Sequence, residues 1–561
     1  MGVVQWKGLR GEPMNIRLAL MLLSFSWCAH AGEIQMVAPA GAQAPFALSK
    51  ALSADHTTLT FNLPGGAAVT MPVTQSTRYG AQRWIGQVGG DYLVLVSNGA
   101  SLSGSLHVNG ESFTIAGSPE RAVLFSQAYG LKASRFGNGT PTEASDAVAA
   151  PGPEPKSSVA PAKTQAAPTF DILMFYSKAL ADQEGLEKVD AAALDQFAYL
   201  ETAFQNGQIG YQPNLVGFEP YVVDESQTYS QMLDTFAHDQ AVLDRMSAYG
   251  ADDIALLRAP DPADTSAAGM GYQGRAILDA QGNPTGHLTV GRGLVIDSTQ
   301  ADNLAHEVGH NLGANHPYGA SYGSGPGWKP YAAGHACGAS HGDIMSGPEF
   351  GPTAPWYSTS RVAPAIPTDL SPCGTADDAA QPADNERAIR EALPDGVAVG
   401  TPAAPDGTVT MTASSVQVND SAGTVVVTIT RTGTLSAGRQ INFVTSNGTG
   451  LAGTDYAWTS GNIQMAAGQS QANITIPVMK RASHHGDVTF NVTLRYPLGV
   501  SIGSTAMEVI TVKDTNPVPP PPPPPASSSG GGGAFGLWSV LAMGLGAGFR
   551  LRRGPRWRPG L

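Results

Sequence analysis

Charge is scarce in this chain. Asp, Glu, Lys and Arg make up 14% of its 561 residues, well below the usual quarter. Most of that charge is negative: 45 acidic against 32 basic residues give a formal charge of −13. No basic surface is available to neutralise phosphates, which disfavours a nucleic-acid binder. Cysteine is nearly missing, at three residues, too few for a disulfide-dense scaffold. The apolar runs Leu18–Trp27 and Ala534–Phe549 both fall short of the roughly 20 residues that span a bilayer. Global disorder is excluded as well, because 42% of the residues are hydrophobic. What is plentiful is glycine and proline, 67 and 42 residues, against a combined background of roughly 12%. With abundant Ser and Thr, this composition fits an exported, β-rich chain long enough for three or four domains.

The two ends carry their own signals. Lys7, Arg10 and Arg17 precede the first apolar run, and Ala29-His30-Ala31 follows it as a small-x-small cleavage site. Residues 1–31 therefore read as a signal peptide, with Met14 as the expected start. At the other end, residues 516–533 form a Pro-, Gly- and Ser-rich linker. Residues 534–561 join a short apolar run to five arginines, which the positive-inside rule would hold in the cytoplasm. This order resembles the GlyGly-type sorting tails of Gram-negative bacteria that rhomboid-family intramembrane proteases process. The resemblance implies a sorting protease as partner, transient or C-terminal membrane attachment, and a secreted or surface location. The ends are net positive, +2 for residues 1–31 and +5 for the last twelve, which leaves −20 for the remainder.

Between the ends the pattern changes three times. Residues 32–137 alternate short apolar runs with turn residues, as in Leu59–Leu63 and Tyr92–Val96, and predict antiparallel strands. Residues 138–168 are an Ala-, Pro- and Ser-rich linker. A β-rich segment and a breakable linker before an enzyme is the order of a propeptide. Residues 169–400 mix strands (Asp171–Tyr176, Pro213–Val223, Asp253–Leu257) with amphipathic helices over 187–205 and 226–248, the first with Leu194, Phe197, Leu200 and Phe204 on one stripe. This is an α/β (α+β) domain with a mixed twisted sheet. Residues 405–515 are all-β and spaced as a sandwich.

One stretch carries chemistry: His306-Glu307-Val308-Gly309-His310-Asn311-Leu312-Gly313-Ala314-Asn315-His316. His306 and His310 lie one turn apart on a helical face, close enough to share a Zn²⁺ at about 2.0–2.1 Å each. Asp297 and Gln300 have capping-box form and predict a helix start near Ser298. Gly313 can take positive φ and turn the chain back, so that His316 supplies a third ligand. Glu307 is placed to take a proton from water. Three protein ligands leave an open position, as catalysis needs; structural zinc sites usually close with a fourth Cys or His.

These residues resemble the metzincin zinc endopeptidases, whose pattern is H-E-x-x-H-x-x-G-x-x-H followed by a Met turn. The turn residue is Met345 in Gly342-Asp343-Ile344-Met345-Ser346, 29 residues after His316. Trp356-Tyr357-Ser358 and Asp384-Asn385-Glu386-Arg387 are similar to the bacterial reprolysin-like branch, which is related to adamalysins. The resemblance implies a protein- or peptide-cleaving metalloprotease made as a zymogen, with His306, His310 and His316 on zinc and Glu307 as general base. Pro317 stands where adamalysins carry Asp, and Gly347 excludes a tyrosine fifth ligand. Residues 32–167 contain no cysteine, so a thiolate switch is absent. His287–Gly291 is the expected edge strand for substrate. His335 and His341 read as loop residues near the Met turn. With Cys28 removed in the signal, Cys337 and Cys373 remain as a disulfide pair.

Residues 405–515 resemble a Calx-beta domain, through Val418–Thr424, Ala452–Tyr456 and Val488–Leu494. Such domains bind Ca²⁺ through clustered carboxylates, and Asp420, Asp455 and Asp514 are the candidates. The usual acidic stretch is replaced by Arg481-Ala482-Ser483-His484-His485-Gly486-Asp487, which lowers the expected calcium affinity. The competing function is a surface adhesin on a metzincin fold, and a general base at Glu307 argues against it.

Overall fold

The computed structural model describes residues 43–126, 168–397 and 404–520, apart from short stretches at 65, 261–267, 299, 321–324, 340, 348–349, 363–365 and 413–414. The expected signal peptide, the 138–167 linker and the 534–561 tail lie outside the described residues. Among the described residues no helix is long and apolar enough to cross a membrane. The chain divides into two compact units, residues 1–515 and 516–561. Residues 516–520 of the second carry no helix or strand.

The region from residue 169 to 397 is built on a five-stranded sheet. Its order is Gln212–Tyr221, Thr169–Ser177, Asp253–Arg258, Leu294–Asp297 and Gly269–Gly271. The first four strands are parallel, and the last runs antiparallel at the edge. Both faces are covered, which explains the unbroken apolar run Ile172–Phe175. Ile172 and Met174 pack with helices Leu186–Asn206 and Asn303–Asn311. Leu173 and Phe175 pack with Tyr229–Ala237 and Gln240–Tyr249. The single helix expected over 226–248 is thus two. Asp239 breaks it, leaving the helical region and capping the second helix through Ala241 N.

Seven strands between Gln43 and Ser126 form an antiparallel sheet. In its strand Asp91–Ser97, Leu93 and Leu95 point into the sheet's own core, while Tyr92, Val94 and Val96 join the core of the region that follows, residues 169–397. Helix Leu186–Asn206 is therefore packed between the two regions. The interface is also polar: Asn98 Nδ2 donates to Asp190, Ser103 Oγ donates to Asp195 at 3.0 Å, and Glu201 takes Arg78 and Arg83.

The strands between Gly407 and Lys513 form a sandwich of a four-stranded and a five-stranded sheet. Alternating inward residues such as Val425, Val427, Ile429, Phe490, Val492, Ile510 and Val512 fill it. Arg495 ties it to the rest. Its guanidinium, 3% exposed, donates to Asp190 Oδ1 at 2.6 Å, Asn442 Oδ1 at 2.6 Å and the Tyr79 carbonyl at 3.2 Å. Three regions meet on one buried charge.

Candidate metal centre

Strand Leu294–Asp297 leads into the helix that carries the histidines. That helix is Asn303–Asn311, later than the predicted start near Ser298. The physical reason is that Asp297 does not cap it. The Asp297 carboxylate accepts the Tyr229 hydroxyl at 2.8 Å and Asn303 Nδ2 at 3.3 Å, as the buried end of its strand. Gly313 follows with φ of 80°. A Cβ there would lie 2.4 Å from Trp328, so both the conformation and the space require glycine. The return loop is held by Asn385, whose Nδ2 donates to the Asn315 carbonyl and whose Oδ1 accepts Asn315 N.

This folding brings three imidazoles together. His316 Nε2 lies 3.0 Å from His310 Nε2 and 3.3 Å from His306 Nε2. Tetrahedral zinc with nitrogens at about 2.0–2.1 Å would space them about 3.3 Å apart. The opposite ring nitrogens fix the tautomers. His306 Nδ1 donates to the Ile344 carbonyl at 2.7 Å, and His310 Nδ1 to the Ala314 carbonyl at 3.2 Å and Gln273 Oε1 at 3.1 Å. Both Nε2 atoms are therefore lone pairs aimed at one point, with the outer hydrogen bonds metal-ligating histidines need. Burial lowers His306 to about 4 and, with the neighbouring His306, lowers His310 to about 3, so both rings are neutral. Converging lone pairs repel unless a cation sits between them, and this donor set fits zinc.

Glu307 is 1% exposed, and its Oε2 has no hydrogen-bond partner among the described residues. Burial raises its carboxyl to about 8, opposed by a backbone hydrogen bond from Gly271. It lies against the edge strand: a Cβ on Gly269 would come 2.8 Å from Oε1, and one on Gly271 3.1 Å from Oε2. A carboxyl group kept dry, with one oxygen unpartnered among the described residues and beside the histidines, is equipped to move a proton.

Met345 is fully buried beneath the helix, where a Cβ on Gly309 would meet its Sδ at 2.5 Å. The turn is braced by Asp343, which accepts Ser346 Oγ and Ser358 N, and Tyr357 Oη donates to the Ala305 carbonyl at 2.6 Å. Cys337 and Cys373 form a disulfide beside this loop.

Residues 201–317 match the reprolysin-like metallopeptidase family M12B. Residues 404–516 match the Calx-beta domain. The metallopeptidase match ends one residue past His316, so it contains all three histidines and Glu307. Comparison with curated proteins gives no match. Among solved structures, the apo Calx CBD1 domain is 22% identical, covering 20% of this chain and 98% of that one at a TM-score of 0.19. The calcium binding domain CBD12 of CALX1.1 is 22% identical, over 19% of this chain and under half (44%) of that one, at 0.19. Metalloproteinase-II from Bacteroides fragilis is 13% identical over 48% of this chain and 84% of that one, at 0.32. The metallopeptidase family implies zinc.

Three placements differ from expectation. His287–Gly291 is not the edge strand of the main sheet; among the described residues strand Pro284–Thr289 pairs with Arg275–Leu278 in a separate hairpin. Gly269–Gly271 holds the edge, and two glycines in a three-residue strand give no sequence signal. His341 is not a plain loop residue: its Nε2 meets His107 Nε2 of the N-terminal sheet at 2.8 Å. Asp455 stands apart from Asp420 and Asp514, with Arg481 on its carboxylate at 2.6 Å. Gln273 and Gly309 were missed because their roles depend on contacts distant in sequence or on what lies beneath the helix.

Proposed function

We propose that this protein is a zinc-dependent endopeptidase, exported as a precursor and acting on proteins or peptides outside the cytoplasm. The observation that carries the reading is the convergence of His306, His310 and His316 beside the buried Glu307 carboxyl group, whose Oε2 has no partner among the described residues. Bound there, zinc supplies Lewis acidity, polarising the scissile carbonyl and acidifying water. Glu307 accepts the proton of the attacking water and returns it to the leaving amine. The Ile344 and Ala314 carbonyls and Gln273 hold His306 and His310 with Nε2 toward the metal. Strand Gly269–Gly271 ends the sheet above Glu307, and a substrate added to it as a further strand would place its carbonyl at the site.

Export is supported by the signal-like first 31 residues, the acidic, charge-poor body and the Cys337–Cys373 disulfide. Residues 32–137 are proposed as the precursor segment, and the tail as the sorting signal. The test uses the purified full chain and its processed form on casein. Cleavage at internal bonds, lost on chelation and restored by zinc, is expected. A zinc-loaded, processed protein that leaves casein intact would overturn the reading.

A further inference from the structure

The sandwich holds a second group of metal-competent side chains. Strands Ser415–Asn419 and Met507–Lys513 run parallel with Asn419 opposite Lys513, so Asp420 and Asp514 emerge side by side at the same end. The loop before strand Val488–Leu498 brings His485 between them. One ligand atom from each of Asp420, His485 and Asp514 lies within 4.8 Å of the others.

Two of the three show a missing partner among the described residues. Asp420 is 1% exposed; its Oδ1 accepts the Thr515 hydroxyl, and its Oδ2 has no hydrogen-bond partner. The His485 side chain is 9% exposed, and neither of its ring nitrogens has one. An imidazole carries at least one N–H, so a buried ring with neither nitrogen hydrogen-bonded, its Nε2 4.0 Å from Asp514 Oδ1, is unfavourable. A bound ion would remove that cost.

Calcium, the ion the Calx-beta match implies, does not fit. It takes six to eight oxygen ligands. Here the third carboxylate, Asp455, is bonded to Arg481 and lies outside the group. Asp514 Oδ2 already accepts His485 N, Gly486 N and His484 Nδ1. The position facing the two carboxylates is an imidazole. Imidazole with few carboxylates selects borderline transition ions rather than hard alkaline-earth ions.

We propose that Asp420, His485 and Asp514 form a second metal site that takes a borderline divalent transition cation of the Zn²⁺ class in preference to Ca²⁺. This inference is independent of the catalytic reading. The test is zinc stoichiometry of the full chain by equilibrium dialysis and metal analysis, for wild type, His310→Ala, His485→Asn and the double variant. The expected counts are two, one, one and zero. Zinc should raise the Tm of His310→Ala, His485→Asn should abolish that rise, and millimolar Ca²⁺ should not reproduce it. Equal circular dichroism and Tm of wild type and His485→Asn in metal-free buffer separate metal loss from misfolding. A zinc count unchanged by His485→Asn in the His310→Ala background would overturn the proposal. So would a Ca²⁺-induced rise in Tm equal to that of zinc.

Discussion

Replacing Arg495 by Met tests the packing of the three regions most severely. Arg495 and Asp190 are 3% and 1% exposed and lie 2.6 Å apart. Removing one member of such a pair leaves an uncompensated buried charge and costs about 3–5 kcal/mol. Asp190→Leu strands the guanidinium and should cost a similar amount. The double variant removes both charges; Asn98 keeps its bond to the Glu187 carbonyl, and the chief losses are the Arg495 bonds to Asn442 Oδ1 and the Tyr79 carbonyl, at about 1 kcal/mol each. It should therefore be more stable than either single variant, with a coupling of at least about 2 kcal/mol. Urea unfolding followed by tryptophan fluorescence reads all three regions, because Trp84, Trp328 and Trp458 fall one in each. A loss below about 1 kcal/mol for Arg495→Met, or additive single losses, would refute the reasoning.

Further outcomes follow from the geometry. Gly269→Ala places a methyl 2.8 Å from Glu307 Oε1; a shift of up to an ångström in the base should lower kcat by about 10²-fold while bound zinc, measured by metal analysis, is unchanged. Gly309→Ala drives a Cβ into Met345 and should cost about 1–3 kcal/mol by overpacking, seen as a lower Tm. Burial and the neighbouring His341 lower His107 from 6.5 to about 4. The faces around this pair also carry Asp91, Asp369, Ser112 and Tyr92. A depressed folded value means the stability is full above pH 6.5 and is lost as pH falls toward 4, by about 3 kcal/mol. His341 is lowered by burial as well and acts in the same direction. His107→Gln should flatten this acid-side loss in unfolding measured from pH 7 to 4.

Much of the fold is legible locally. The stripe of Leu194, Phe197, Leu200 and Phe204 marks helix Leu186–Asn206, and the histidine spacing brings three rings to one point. What escapes is whatever depends on a distant partner. Tyr92–Val96 reads as a strand, but not as one whose second face is covered by helix Leu186–Asn206. Asp297 has the form of a cap, yet Tyr229, 68 residues away, claims its carboxylate. Asp455 sits in a motif similar to calcium-binding ones, and Arg481 neutralises it. The edge strand fails for another reason: Glu307 crowds the place of a Cβ at Gly269, and Asn311 and Glu307 together crowd that at Gly271.

The central claim is that Glu307 moves the proton at a zinc site. The direct measurement is single-turnover cleavage of an internally quenched peptide by wild type and Glu307→Gln at equal, measured zinc content. The account predicts unchanged zinc binding and a rate lowered by about 10²–10⁴-fold, the usual contribution of a positioned base. A Glu307→Gln protein that cleaves at the wild-type rate would contradict it.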